Sequence, residues 1–237
     1  MSLITVDAIT KAYGNGDSVV AALDRISFSI DSGEFVAVMG ESGAGKSTLL
    51  AVMGAMNTPT AGKYVVDDLD VYALSSEQRA DFRREYLGFV FQSFHLVPYL
   101  TVVENAMLPL TALRLPGRQK EAMAMEALDW VGLAAKAKRL PSQISGGECE
   151  RVAVARAIVN NPPILLADEP TGNLDSRNTL EIMNLLGRLH AGGTTIVMVT
   201  HSANCAANAQ RVLHVTDGKL DVTRSTRAVQ KGSVKAA

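Results

Sequence analysis

Gly40-Glu41-Ser42-Gly43-Ala44-Gly45-Lys46-Ser47, followed by Thr48, fits the pattern GxxxxGK[ST]. Binding phosphate requires such a run, because backbone N–H groups must converge on oxygens with no Cβ in the way. A helix expected from Lys46 adds the positive end of its dipole, and the Lys46 ammonium places a charge on the outer phosphates. The Ser47 hydroxyl is available to Mg2+. Chance would give one such match on the order of once in a hundred chains of this length. The apolar run before it and the helix after it lower that further.

A second chemical signal is Ile164-Leu165-Leu166-Ala167-Asp168-Glu169, an apolar run ending in two acids. Asp168 at a strand end suits a Mg2+ shell, and Glu169 suits polarising an attacking water. By themselves the acids could cap a turn before Pro170. Downstream of a phosphate loop the catalytic reading is preferred. Ser145-Gly146-Gly147-Glu148 is a capping box that would start a helix in any context. The same hydroxyl, glycine amides and helix N-terminus also form an anion site. One chain has no reason to grip one γ-phosphate twice, unless the second grip serves another subunit's nucleotide.

The surrounding pattern supplies elements to position these residues. Ile26, Phe28 and Ile30 alternate with Ser27 and Ser29 as in a half-buried strand, and Phe35 to Met39 reads as a strand buried on both faces. Further strands are expected at Tyr64 to Val66, Ile164 to Ala167 and Thr195 to Val199. Helices are expected after Lys46, through the stripe Ala122, Met125, Leu128 and Val131, after Ser145, and near Leu180 to Leu189. Trp130, Met123 and Met125 are expected in helix core. Apolar strands alternating with helices imply an α/β fold with a parallel sheet covered on both sides. No internal repeat is visible. The polar segment from Asp221, with Arg224, Arg227, Lys231 and Lys235, reads as a loose tail.

The 237 residues allow one large domain, or one with an inserted subdomain. Hydrophobic residues at 47% and charged residues at 20% are an ordinary globular balance. A formal net charge of −1 gives no electrostatic reason to expect nucleic acid. Cys149 and Cys205 are too few for a disulfide framework, which suits a reducing compartment. MSLITVDAITKAYG lacks the basic start and apolar core of a signal peptide, and no apolar run approaches a membrane span.

With the phosphate loop, ISGGE and LLADEP in this order, the chain resembles the nucleotide-binding subunit of an ABC transporter, over about residues 2 to 220. The resemblance implies a P-loop NTPase with a RecA-like core sheet and an antiparallel β subdomain. It also implies a helical subdomain inserted at about 93–160, and a domain of 1–220 ahead of the polar basic tail 221–237. ATP and Mg2+ are the implied ligands, with ATP hydrolysis as the activity. Tyr13 would then stack on adenine, Gln92 would link Mg2+ to the transporter interface, and His201 would sense the γ-phosphate beside the general base Glu169. Ser145 to Glu148 would be the signature, and Asn173-Leu174-Asp175 the loop touching the opposite subunit. The partners implied are a second copy, head to tail across two ATP molecules, and an integral membrane permease.

LGFVFQSFHLVPYLTVVEN and LLADEPTGNLD look like the macrolide-efflux and lipoprotein-release branch, which also holds a cell-division ATPase. That branch is bacterial, so the cytoplasmic face of the inner membrane is the expected location. Ile144 before the signature Ser, and Cys149-Glu150 after it, depart from the family pattern. They put turnover rate and subunit affinity in question more than mechanism. A non-transport ABC ATPase would bring long coiled-coil insertions or tandem units, and a P-loop kinase would have no use for ISGGE. A signalling role with a permease that moves nothing stays open. The large apolar residues of Phe94 to Leu100 either pack a seam between subdomains or form an exposed interface for the permease.

Overall fold

The computed structural model describes residues 2–14 and 19–227. β1 (Ser2–Tyr13) and β2 (Val20–Asp31) pair antiparallel, and β2 keeps the expected alternation, burying Leu23, Ile26 and Ile30 while exposing Ser27 and Ser29. After the turn at Gly33 comes β3 (Phe35–Met39), which delivers the glycine-rich loop to α1 (Lys46–Met53). β4 (Ala61–Val66) and β5 (Leu69–Asp70) complete an antiparallel sheet in the order β2-β1-β4-β5.

α2 (Ser76–Tyr86) follows, started by a Ser75–Gln78 capping box and burying only Phe82. β6 (Leu87–Val90) then leads through a loop to α3 (Val102–Met107), α4 (Gly117–Trp130) and α5 (Gly146–Ile158), which pack on one another. β7 (Ile164–Asp168), α6 (Ser176–Ala191), β8 (Thr195–Val199), the short α7 (Ala203–Ala206), β9 (Arg211–Thr216) and β10 (Lys219–Arg227) finish the chain.

The second sheet runs β10-β9-β3-β8-β7-β6, parallel except for β10. Both its faces are covered, as continuous apolar strands require. Phe35, Ala37, Leu165 and Ala167 belong to one buried cluster with α3 to α6, while Val36, Val38, Ile164 and Leu166 belong to a second with α1 and the antiparallel sheet. The fold is α/β with a mixed sheet and a separate antiparallel one. Among the described residues no helix is long and apolar enough to cross a membrane.

Two expectations change. The α4 stripe is Ala124, Ala127 and Leu128, continued by Val131, and Ala122 lies exposed. Alanines form the contact because α4 packs closely on α3 and α5. The segment from Asp221 is not loose as far as Arg227. It pairs antiparallel with β9, Leu220 opposite Val215 and Thr226 opposite Val212, across an irregularity after Asp221. β9 would otherwise leave a row of unpaired backbone groups at the sheet edge, and a polar strand can cover that edge as well as an apolar one. Residues 228–237, with Lys231 and Lys235, lie outside the described residues.

Candidate functional site

Four parallel strands end at one edge of the sheet. Val90, Ala167, Met198 and Ala37 are aligned by the registers of β6 with β7, β7 with β8 and β3 with β8. The residues just beyond each strand therefore emerge together: Gln92 after β6, Asp168 and Glu169 at the end of β7, His201 after β8, and the loop from Gly40 after β3. The carboxyl edge of a parallel sheet is where ligands bind in such folds. A cavity of about 410 Å³ lies there, lined by Ala22, Ser42, Gly43, Gly45, Lys46, Ser47, Thr48, Gln92, Glu169 and His201.

The loop itself has the form a phosphate needs. Gly45 holds a φ of 99° and a Cβ there would lie 2.3 Å from the Ala22 carbonyl oxygen, so only glycine fits. Ala44 is buried and anchors the loop, its carbonyl accepting from the Gly218 amide. Lys46 is 8% exposed, and its ammonium donates to the carbonyls of Gly40 at 2.9 Å and Glu41 at 2.7 Å. The charge thus sits inside the loop, ready for an anion.

The acids are arranged unequally. The Ser47 hydroxyl donates to Asp168 Oδ1 at 3.3 Å. Burial raises the Asp168 carboxyl above the usual range, against the pull of the Ser47 hydrogen bond, and the neighbouring Glu169 raises it too. A carboxylate so placed gains from a cation, and with the Ser47 hydroxyl beside it the pair fits Mg2+. Glu169 has a φ of 49°, a left-handed conformation that a residue with a side chain adopts only under constraint. Its amide donates to the Val199 carbonyl at 3.0 Å, and its Oε2 lies 2.8 Å from His201 Nδ1.

Not every expected residue lines this cavity. Tyr13 is 45% exposed at the end of β1, opposite Val20 and with its hydroxyl accepting from the Asn57 amide; it does not line the pocket. Ser145 to Glu148 do not line it either. Ser145 caps α5, accepting from the Glu148 amide at 3.3 Å, while the Glu148 carboxylate accepts from the Ser145 amide at 3.0 Å and pairs with Lys136. The Lys136 hydrogen bond holds the Glu148 carboxyl below its ordinary range. Ser145 and Gly146 face solvent, so this capped helix end is open to a second molecule. Gly147 is buried under Asn178, whose Oδ1 would be 1.9 Å from an added Cβ.

The loop near Asn173 is tied to the cavity, its side-chain amide donating to the Gln92 carbonyl at 2.9 Å, and Asp175 caps α6 by accepting from the Asn178 amide at 2.8 Å. Ile144 packs against the main core, and Cys149 is buried with its thiol directed at the Pro141 carbonyl, away from the exposed helix end.

A family profile described as ABC transporter matches residues 23–172. The chain belongs to the ABC transporter family. It is 41% identical over 218 residues to the uncharacterized ABC transporter ATP-binding protein YvrO of Bacillus subtilis (strain 168), covering 92% of this chain and 95% of YvrO. It is 43% identical over 218 residues to the macrolide export ATP-binding/permease protein MacB of Hyphomonas neptunium, covering 92% of this chain but 34% of MacB. The chain thus spans about a third of that fused relative. A solved dimer of MJ0796, a bacterial ABC transporter cassette, superposes with a TM-score of 0.87 at 40% identity, covering 94% of this chain and 98% of that one. Another MJ0796 dimer, in a post-hydrolysis state bound to ADP and Pi, gives 0.86 at 39% identity.

Some residues around the site carry no motif. Ala22 lines the cavity from β2. Asn105, fully buried, accepts from the Val97 amide at 2.7 Å and donates to the carbonyls of Val97, Leu100 and Thr101, fixing the loop after Gln92. Arg156 holds the start of the same loop. Both act on backbone carbonyls, which sequence spacing does not reveal.

Proposed function

We propose that the chain is an ATPase subunit that hydrolyses ATP at two sites shared between two copies and thereby drives a membrane permease. The observation that carries this reading is the separation of the two anion-binding elements. The cavity beside Lys46 holds no part of Ser145 to Glu148 from its own chain, and the capped end of α5 stands open to solvent. A second copy would bring that end over the nucleotide, as a dimeric relative of this fold suggests.

In this arrangement the loop amides and Lys46 hold the β- and γ-phosphates. Ser47, Asp168 and Gln92 would hold Mg2+, which when bound would neutralise charge on the phosphate oxygens. Glu169, oriented by His201, accepts a hydrogen bond from the attacking water and polarises it toward the γ-phosphorus, whose bond to the β–γ bridging oxygen breaks to release ADP and phosphate. His201 then follows the γ-phosphate. Tyr13 would approach adenine from β1. Both copies contribute charge-assisted hydrogen bonds to one γ-phosphate, about 1.5–3 kcal/mol each, and hydrolysis removes them. Closure and opening of the pair is the mechanical output.

The permease would dock near Phe94 to Leu100. A second cleft of about 250 Å³ adjoins that loop, with Met56, Phe89, Phe91 and Pro109 among its lining, and gives an apolar seat for a short helix. With a permease as partner, the chain would work at the cytoplasmic face of a bacterial inner membrane. The test is Glu169→Gln, incubated with ATP and sized by chromatography with light scattering. A dimer that dissociates when nucleotide is removed is expected; a monomer at saturating ATP overturns the shared sites.

A further inference from the structure

The loop that carries Gln92 is held from outside as well as by its own turn, in which the Phe94 amide donates to the Phe91 carbonyl at 3.2 Å and the His95 amide to the Ser93 carbonyl at 2.5 Å. Phe94 (φ 56°) and His95 (φ 47°) lie consecutively in the left-handed region, which residues with side chains enter only when the surroundings impose it. The hold from outside comes from far along the chain. Arg156, in the last turn of α5, donates from Nη2 to the Phe94 carbonyl at 2.7 Å and from Nη1 to the His95 carbonyl at 2.6 Å. The guanidinium is a rigid fork, so gripping two successive carbonyls fixes the orientation of the turn as well as its position.

The neighbourhood keeps that fork on the carbonyls. Glu150, two turns back on α5, is 1% exposed, and its Oε1 has no hydrogen-bond partner. Burial pushes its carboxyl up to about 8, against the attraction of Arg156, so at neutral pH it is mostly uncharged. A neutral acid competes weakly for the guanidinium, whereas an ionised one would form an ion pair with it. The other end of α5 is the Ser145 cap. At 13 residues the helix is a rod of about 20 Å, joining the exposed anion-binding end to the Gln92 loop.

We propose that Arg156 is a positioning residue: it latches the Phe94–His95 turn to the signature helix, and so sets the place of Gln92 in the cavity according to what Ser145 has bound. This rests on the shared-site reading above. A nucleotide held at Ser145 by one copy shifts α5, and through Arg156 the same copy's own Gln92 loop follows. Each site thereby senses whether the opposite site is filled.

The test compares the wild-type chain with Arg156→Lys, which keeps the charge and loses the fork, and with Arg156→Lys combined with Phe94→Gly and His95→Gly. Glycine holds the left-handed turn without strain, so it substitutes for the latch locally. For Arg156→Lys we expect kcat to fall about tenfold while ATP affinity of the monomer, read by fluorescence titration, stays within about twofold. Hydrogen exchange at the amides from 94 to 100 should accelerate. The glycine pair should restore most of kcat. An unchanged kcat and unchanged exchange overturn the proposal. A kcat loss that accompanies a lowered melting temperature and is not restored by the glycines also overturns it, because Arg156 would then be structural only. Failure of the underlying reading shows separately, as a Glu169→Gln chain that stays monomeric with ATP.

Discussion

His201 and Glu169 meet at one oxygen. Glu169 Oε2 lies 2.8 Å from His201 Nδ1 and also accepts from the His201 backbone amide at 3.3 Å. The backbone contact holds the carboxylate even when the imidazole swings away, so the two interactions have separable roles. His201→Ala should keep ATP affinity of the monomer and lower kcat by about 10²–10³-fold, because the carboxylate stays placed but loses its orienting ring. Steady-state hydrolysis together with nucleotide titration checks this. A variant with wild-type kcat would remove His201 from the mechanism.

Lys46→Ala removes the one ammonium that lines the loop cavity among the described residues, and with it two hydrogen bonds to the carbonyls of Gly40 and Glu41. Losing a charge-assisted contact of about 1.5–3 kcal/mol should weaken ATP binding by about tenfold to a hundredfold. Fluorescence titration reads it, and unchanged affinity would reject the phosphate-loop assignment.

Two adjacent glycines at the start of α5 should behave differently. A Cβ on Gly146 meets nothing within 4 Å, whereas one on Gly147 meets the Asn178 side chain at 1.9 Å. A bulky residue at Gly146 should leave monomer stability unchanged and abolish the ATP-held dimer of Glu169→Gln. Gly147→Ala should lower stability by about 1–3 kcal/mol through overpacking, because Asn178 also braces the Asp175 cap. Urea unfolding and chromatography together separate the two. Similar loss of stability at both positions would contradict the open face of the helix end.

Glu150 makes stability depend on pH. The folded carboxyl keeps its proton up to about 8, while an unfolded one loses it near 4.5. Between those values the folded state binds more protons, so the group's contribution falls as pH rises, by up to about 1.4 kcal/mol per unit. Glu150→Gln abolishes that slope, whatever constant cost the buried amide carries. The difference between variant and wild type should grow in the variant's favour from pH 5 to 8 and level off above. A difference independent of pH would place the Glu150 titration at its ordinary value.

How much of this the sequence made legible follows from where the determinants lie. β3, β7 and β8 were readable because strands buried on both faces are continuous apolar runs. The motifs at Gly40, Asp168 and Ser145 were readable because each sits at an element boundary, where chemistry and local spacing coincide. β10 was not, since a polar edge strand is defined by the neighbour it pairs with. In α4 the stripe Met125, Leu128 and Val131 is legible and packs on the core, but Ala124 and Ala127 beside it are not, since alanines are weak hydrophobic signals. Asn105 and Arg156 were invisible for another reason: their partners are backbone carbonyls, those of Arg156 61 and 62 residues away in sequence.

The segment after Gln92 divides into residues that pack and residues that face outward, and this decides which substitutions can probe a permease contact. Leu96 is partly buried against the main core, and Val97 is pinned through its amide and carbonyl by Asn105. Tyr99 is 79% exposed. Of the large apolar residues from Phe94 to Leu100, Leu96 therefore packs the seam and Tyr99 is left to face a partner. Leu96→Asp should destabilise the chain by about 2–4 kcal/mol, since it places a charge against apolar side chains. Tyr99→Asp should leave melting temperature and hydrolysis by the isolated subunit near wild type, because the ring leaves no cavity and no unpaired group behind. If this face receives a permease helix, the same change removes an aromatic anchor at the contact. Pull-down by the membrane partner and partner-stimulated hydrolysis should then both fall severalfold. Full stimulation of Tyr99→Asp would take Tyr99 out of the docking surface and leave the adjoining cleft lined by Phe89, Phe91 and Pro109 as the seat.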